Sequence, residues 1–356
     1  MRKLSVFLGV AVWAIGSAVS AQEVDSTATM QMSSWRDENK NEIAEYIPDI
    51  SLDARFGYGH DFSNGADGFL GNGLFIDING KISKHFSYSL NHRIADFEGE
   101  DKLGFGNTNW LTLTYENDHF YVTAGAEDIK VGSFEYDAYD LDSYWEMNSL
   151  FWNTFSPWHW GISAGWYPVE GQTIILQTSQ SPFFSRENPD LFAYAVAWRG
   201  EWNCYESYWS ANLWQHPEGG YVESLNLGNR FHFGDFSFDL DYLTRAKSIK
   251  HFFTSDISVM FSPSYEWEWG RAFAKVGWEK VAEDYLGYDF IGDNLFYGAG
   301  VEFFPLKSQK DVRLHAIWAA NTAISNSHYI NIGLTWKFNL TRAGKALLNR
   351  LNKKAE

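Results

Sequence analysis

The sequence predicts an all-β protein, a transmembrane antiparallel up-and-down β-barrel of about 16 strands with a long loop folded into the lumen. Three observations carry that prediction. From Ser51 onward the dominant hydrophobic period is two, the period of a strand with one apolar and one polar face. Aromatic residues make up 18% of the chain and recur toward strand ends, as in Tyr58, Tyr115, Tyr242, Trp278 and Trp318. Beyond residue 21 no stretch approaches the roughly 18 consecutive apolar residues of a membrane helix. With 45% hydrophobic residues and a mean hydropathy of −0.33, apolar and polar residues must be finely interleaved, which argues against disorder.

In chain order, residues 1–21 read as an export signal. Arg2 and Lys3 form the charged start, Leu4 to Ile15 the apolar stretch, and Val19-Ser20-Ala21 a small-residue cleavage site before Gln22. The formal charge is −17, and cleavage would remove Arg2 and Lys3 to leave −19. Such acidity disfavours nucleic acid as a partner. Cys204 is the one cysteine and lies far from the cleavage site, so neither an intramolecular disulfide nor a lipoprotein anchor is expected. Residues 22–49 form a polar lead-in with a short helical piece near Glu38 to Tyr46.

The barrel is assigned to residues 50–339, with strands near 51–60, 70–80, 84–95, 109–116, 119–127, 160–168, 171–180, 191–201, 205–215, 221–233, 235–243, 252–262, 271–281, 293–304, 311–321 and 328–338. Alternation justifies them. In the last, Ile330, Ile332, Leu334, Trp336 and Phe338 oppose Asn331, Gly333, Thr335 and Lys337; Leu74, Ile76 and Ile78 oppose Asp77 and Asn79; Phe236, Phe238, Leu240 and Tyr242 oppose Ser237, Asp239 and Asp241. A soluble sandwich also alternates, but it needs two inner faces rich in aliphatics. Here the second face is polar on nearly every strand, as expected of a watery lumen behind a lipid-facing band. An even strand number leaves both ends periplasmic. The short turns at Glu116-Asn117-Asp118 and Pro305 to Lys310 fit that side, and the connections 61–69, 96–108, 182–190 and 282–292 then face outside. Asn339 to Glu356 continues past the terminal aromatic as a basic periplasmic tail (340–356), with Leu347, Leu348 and Leu351 on one helical face.

One connection, residues 128–159, breaks the rhythm, being uncommonly long for a structureless loop in a compact fold. The frame AGAEDIKVGSFEYD…WEMNSLFWNTFSPWHWGISAGWYP resembles the phosphate-selective porin O/P family at Ala124-Gly125, Lys130, Glu146, Pro157 and Gly161-Ile162. The stretch from Gly298 to Asn321 is similar to a strand, turn and strand of these porins. The resemblance implies a 16-stranded trimeric diffusion channel whose third loop folds into the lumen and narrows it. Ala126 stands where the family has Gln, and no run of arginines aligns with the family's phosphate ladder.

The loop carries Glu127, Asp128, Glu135, Asp137, Asp140, Asp142 and Glu146 against Lys130. Folded inward, these carboxylates would line a constriction, and rings of Asp and Glu are how cation-preferring pores are built; on a solvated outer loop they would do nothing of the kind. If the apolar phase faces lipid, Arg55, Arg93, Arg199, Arg230, Arg271, Lys275, Arg313 and Lys337 point inward, because a lipid-facing charge near the midplane costs roughly 2–4 kcal/mol. They would form a basic pore wall opposing the loop, or pair with lumenal Asp53, Asp77, Asp239, Asp241 and Glu279. The expected function is passive diffusion of ions and small hydrophilic solutes across a Gram-negative outer membrane, weakly selective and cation-leaning, with membrane lipid and a homotrimer as partners. The alternatives are an anion- or phosphate-selective channel, as the resemblance implies, and an outer-membrane barrel enzyme. The 10 histidines are scattered, with no metal-spaced pair or nucleophile elbow, so no catalytic residue, metal or cofactor is expected. A secreted carbohydrate-active protein, suggested by the Trp content and paired carboxylates, is a further alternative that membrane fractionation would separate.

Overall fold

The computed structural model describes residues 46–95, 107–138, 142–185, 188–247, 253, 255–282, 290–306, 310–323 and 327–346. The expected export signal, nearly all of the expected polar lead-in, residues 96–106, Asp140 and the end of the basic tail lie outside the described residues. From Pro48 onward the chain is one unit. It contains β1 (Asp49–Asp61), β2 (Ala66–Lys81), β3 (Phe86–Ala95), β4 (Thr108–Glu116), β5 (Phe120–Asp128), β6 (Trp158–Trp166), β7 (Gln172–Gln180), β8 (Phe192–Trp202), β9 (Tyr205–Gln215), β10 (Tyr221–Phe233), β11 (Phe236–Ala246), β12 (Asp256–Trp267), β13 (Gly270–Val281), β14 (Gly292–Phe303), β15 (Val312–Asn321) and β16 (Ser327–Asn339). Each pairs antiparallel with its neighbours in sequence, and β1 pairs with β16 to close the barrel. Closure leaves no free sheet edge, so every strand can satisfy its backbone groups within the wall.

The faces follow the alternation. On β16 Ile332 is 61% exposed while Asn331 and Thr335 are buried; on β1 Phe56 and Tyr58 are exposed while Asp53 and Arg55 are buried. Leu240, Leu314, Leu176 and Val301 are likewise exposed. Exposed aliphatics on strand after strand, with buried charge one residue away, are the signature of a wall solvated by lipid outside. Aromatic rings gather at the ends of β8 to β14. There Trp202 stacks on Tyr205, Phe231 on Phe238, and Trp267 meets Trp269 edge to face.

Two sequence expectations need correction. The 61–69 connection is a tight four-residue hairpin turn, because Asp61 holds it: its carboxylate accepts from the Ser63 N–H at 2.8 Å, its carbonyl accepts from the Gly65 N–H, and Gly65 takes φ 68°. The strand expected at 252–262 instead runs Asp256–Trp267 and contains Pro263. Pairing with β13 is recorded at Phe261 and resumes at Ser264, so the proline sits where that ladder is interrupted and its missing N–H costs nothing. Past β16, residues 340–346 are helical. Asn339 caps them by accepting from the Arg342 N–H at 2.7 Å.

Candidate pore and its inward loop

The chain between β5 and β6 is built from short pieces, α1 (Phe134–Asp137), a 3₁₀ turn at Trp145–Met147 and α2 (Leu150–Thr154). Ser133 and Ser149 cap the two helices by accepting from the Glu135 and Trp152 N–H groups. Helices of four and five residues are not stable alone. Their stability has to come from what they touch, and they touch the inner wall.

The first contact is apolar. Ile129, Val131, Phe151 and Phe155 of the loop form one buried cluster with Ala193, Trp214, Val222, Leu243, Met260 and Phe296 of the wall. Phe134 packs with Ile175, Ala197 and Tyr208, and Tyr144 and Met147 with Ile317 and Ala319. Gly132 lies so close to β9 that a Cβ would meet the Ser210 nitrogen at 2.4 Å. The second contact is polar. Asp241 accepts from the N–H groups of Phe134 and Glu135 at 3.0 and 3.1 Å, and Glu279 accepts from Leu150 N–H at 2.7 Å. Wall carboxylates thus satisfy loop amides that no helical turn could.

Charged groups meet on the same surface. Glu135 binds Lys275 at 3.0 Å and accepts from Ser149; Asp137 forms a bidentate pair with Arg199; Asp142 meets Arg313 and, at 3.3 Å, Lys337. Lys130 bridges Asp128 at 2.8 Å and Glu127 at 3.2 Å. Burial alone would raise the Asp142 carboxyl, but Arg313 and Lys337 outweigh it and hold the group below the usual carboxylate range. Burial would lower Lys130, and its two carboxylates instead push it up. Tyr144 is pushed up by burial and by Glu302, to which its hydroxyl donates at 2.8 Å. Magnitudes rank these contacts: ion pairs with partly exposed partners are worth about 0–1 kcal/mol each, whereas burying one large apolar side chain contributes about 1.5–3 kcal/mol. The apolar clusters hold the loop. The ion pairs set its register and field.

The residues expected at the pore are largely brought together, though as partners. Arg199, Lys275, Arg313 and Lys337 reach loop carboxylates, Arg55 donates to Thr335 Oγ1 at 3.0 Å and to the Ser143 carbonyl, and Arg230 and Arg271 pair with Asp239 and Glu302 on the wall. Arg93 lies over the Phe75 ring, its guanidinium 5.1 Å from the ring centre. Glu146 is buried beside Asn331. The wall is less polar than expected, with Trp214, Leu243, Met260 and Phe296 inward. Their signal was visible where alternation fails, at Leu213-Trp214, Tyr242-Leu243, Val259-Met260-Phe261 and Leu295-Phe296-Tyr297. Arg245, fully buried with its guanidinium 4.2 Å from the Phe151 ring centre, was also missed.

Water-sized space remains beside the loop. One cavity of about 550 Å³ adjoins Tyr167, Gln172, Arg199 and Glu201 near the β6–β7 and β8–β9 turns, and another of about 170 Å³ lies between the loop and β10 to β13.

The architecture has solved counterparts. An engineered variant of the porin from Rhodopseudomonas blastica is similar with a TM-score of 0.58 and 14% identity, over 82% of this chain and 100% of that one. A triple mutant of the same porin is similar with a TM-score of 0.57 and 12% identity, again over 82% and 100%. No protein-family model matches the chain, and no characterised protein matches its sequence. At such identity the likeness is one of fold.

Proposed function

We propose that the protein is a porin of the outer membrane through which ions and small hydrophilic solutes diffuse passively, with weak selectivity leaning to cations. The observation that carries this reading is the closed barrel with an apolar exterior and a long loop bonded to the inward phase of its wall. The cation leaning rests on the acid surplus of the loop and of the whole chain. Its weakness rests on pairing, because Glu127, Asp128, Glu135, Asp137 and Asp142 each face a basic partner. The phosphate preference implied by the family resemblance is the second reading. Against it, Arg199, Arg230, Arg271 and Arg313 are already engaged by carboxylates, which phosphate would have to displace.

The mature chain is expected in the outer-membrane fraction as a homotrimer. Reconstitution into planar bilayers tests the function directly. Stepwise conductance with a modest cation-side reversal potential in a salt gradient is expected; no channel activity from a protein that is folded, as judged by its unboiled gel mobility, would refute the reading.

A further inference from the structure

We infer that the cavity between the loop and β10 to β13 is a subsite for small zwitterions, of which free amino acids are the simplest. The inference rests on the porin reading and names a solute class for it. The cavity is about 170 Å³. Three bases line it, Arg230, Arg271 and Lys275, and three acids, Glu135, Asp142 and Asp239, so its formal charge is zero.

These charges are committed in pairs. Arg230 binds Asp239 through two bonds of 2.6 and 2.9 Å, Lys275 binds Glu135 at 3.0 Å, Arg271 binds Glu302 at 3.1 Å and Asp142 binds Arg313. A solute carrying one sign of charge gains one half of a pair and leaves the other half without its partner. A solute carrying both signs replaces what it displaces. A neutral polyol offers only neutral hydrogen bonds, roughly half as strong as charge-assisted ones.

The accessible groups also have a direction. Glu135 is 1% exposed and Lys275 13%, whereas Arg230, Arg271 and Asp142 are 30%, 28% and 36% exposed. A visiting solute therefore meets two guanidiniums on the wall, that of Arg230 held by the less exposed Asp239, and one carboxylate on the loop. The guanidiniums sit 4.1 Å from the Phe134 ring centre and 4.9 Å from that of Phe273, so aromatic contact limits their freedom. A solute carboxylate is accepted at the wall and its ammonium at the loop.

Alanine and lactamide are isomers of the same formula, one a zwitterion and the other uncharged, so they separate charge from size. Uptake of each is measured into liposomes holding the full mature protein. Alanine should enter at least about threefold faster than lactamide, and the ratio should fall toward one at roughly molar salt, where the Debye length is about 3 Å. In Arg271→Gln the ratio should fall likewise; should that variant fail to assemble, the salt series on the unaltered protein decides. Equal entry of the two isomers, or slower alanine, would overturn the zwitterion subsite while leaving the channel reading standing. Entry of neither would overturn both.

Discussion

Replacing Phe151 by Ala tests whether apolar contact is what holds the loop in the barrel. Phe151 is fully buried, its ring lies 4.9 Å from Phe155 and 6.1 Å from Trp214, and the Arg245 guanidinium sits 4.2 Å above it. Truncating a buried Phe costs about 3–5 kcal/mol, and loss of the cation–π contact belongs to that sum at about 0.5–2 kcal/mol. None of this falls on the strand ladders, since Phe151 belongs to α2 and takes no part in any strand pairing. The loss therefore falls on the docked state of the loop. At 1.4 kcal/mol per factor of ten, even the lower figure raises the undocked population about a hundredfold. Single-channel recordings of Phe151→Ala should show larger or noisier open currents, with heat-modifiable gel mobility unchanged. An assembled variant whose conductance and noise match the parent would refute the argument that this cluster positions the loop.

Four other outcomes are expected. Leu240→Arg or Ile332→Arg puts a charge on an exposed apolar face at a cost of roughly 2–4 kcal/mol near the midplane, and should reduce the heat-modifiable fraction after refolding into lipid. Asp137→Asn with Asp142→Asn deletes two acids from beside Arg199, Arg313 and Lys337, so the reversal potential should move toward anions, most at low salt where screening is weak. The Asp142 carboxyl is depressed in the folded state, so its contribution to loop docking is complete above the ordinary value of 3.8 and is lost as pH falls through the lower folded value. Current noise should accordingly gain a component as pH falls below 3.8 that Asp142→Asn, with no carboxyl to titrate there, does not show; the same rise in both proteins would assign it to other groups. Millimolar phosphate should leave chloride current nearly unchanged; half-block at micromolar phosphate would favour the anion-selective reading.

How far the sequence reached can be judged residue by residue. The lipid face was legible because its selection rule is local: Leu240 or Ile332 must be apolar whatever lies across the barrel, and a period of two declares the phase. Strand ends were legible at most turns but not at β2, which starts at Ala66 directly after a tight turn, nor at β12, which runs on through Pro263 because a wall strand tolerates proline at an interruption in one ladder. The inward phase could be read in the same way at Arg55 and Arg313, which sit next to the exposed Phe56 and Leu314.

What they face could not. The sequence shows a run of loop carboxylates and a scatter of basic wall residues, and only the closed barrel brings Asp142 to Arg313, 171 positions away, or Glu135 to Lys275, 140 away. The same holds for the apolar seat of the loop. Trp214, Leu243 and Phe296 interrupt a polar phase on three separate strands, and each alone reads as an irregularity. They become one surface only when sixteen strands curve around a common axis and a fourth segment supplies Phe151 to cover them. Alternation is a property of neighbours along the chain, and strand pairing extends it one strand at a time. Contact across a lumen depends on closure of the whole sheet, a long-range condition that no local period encodes.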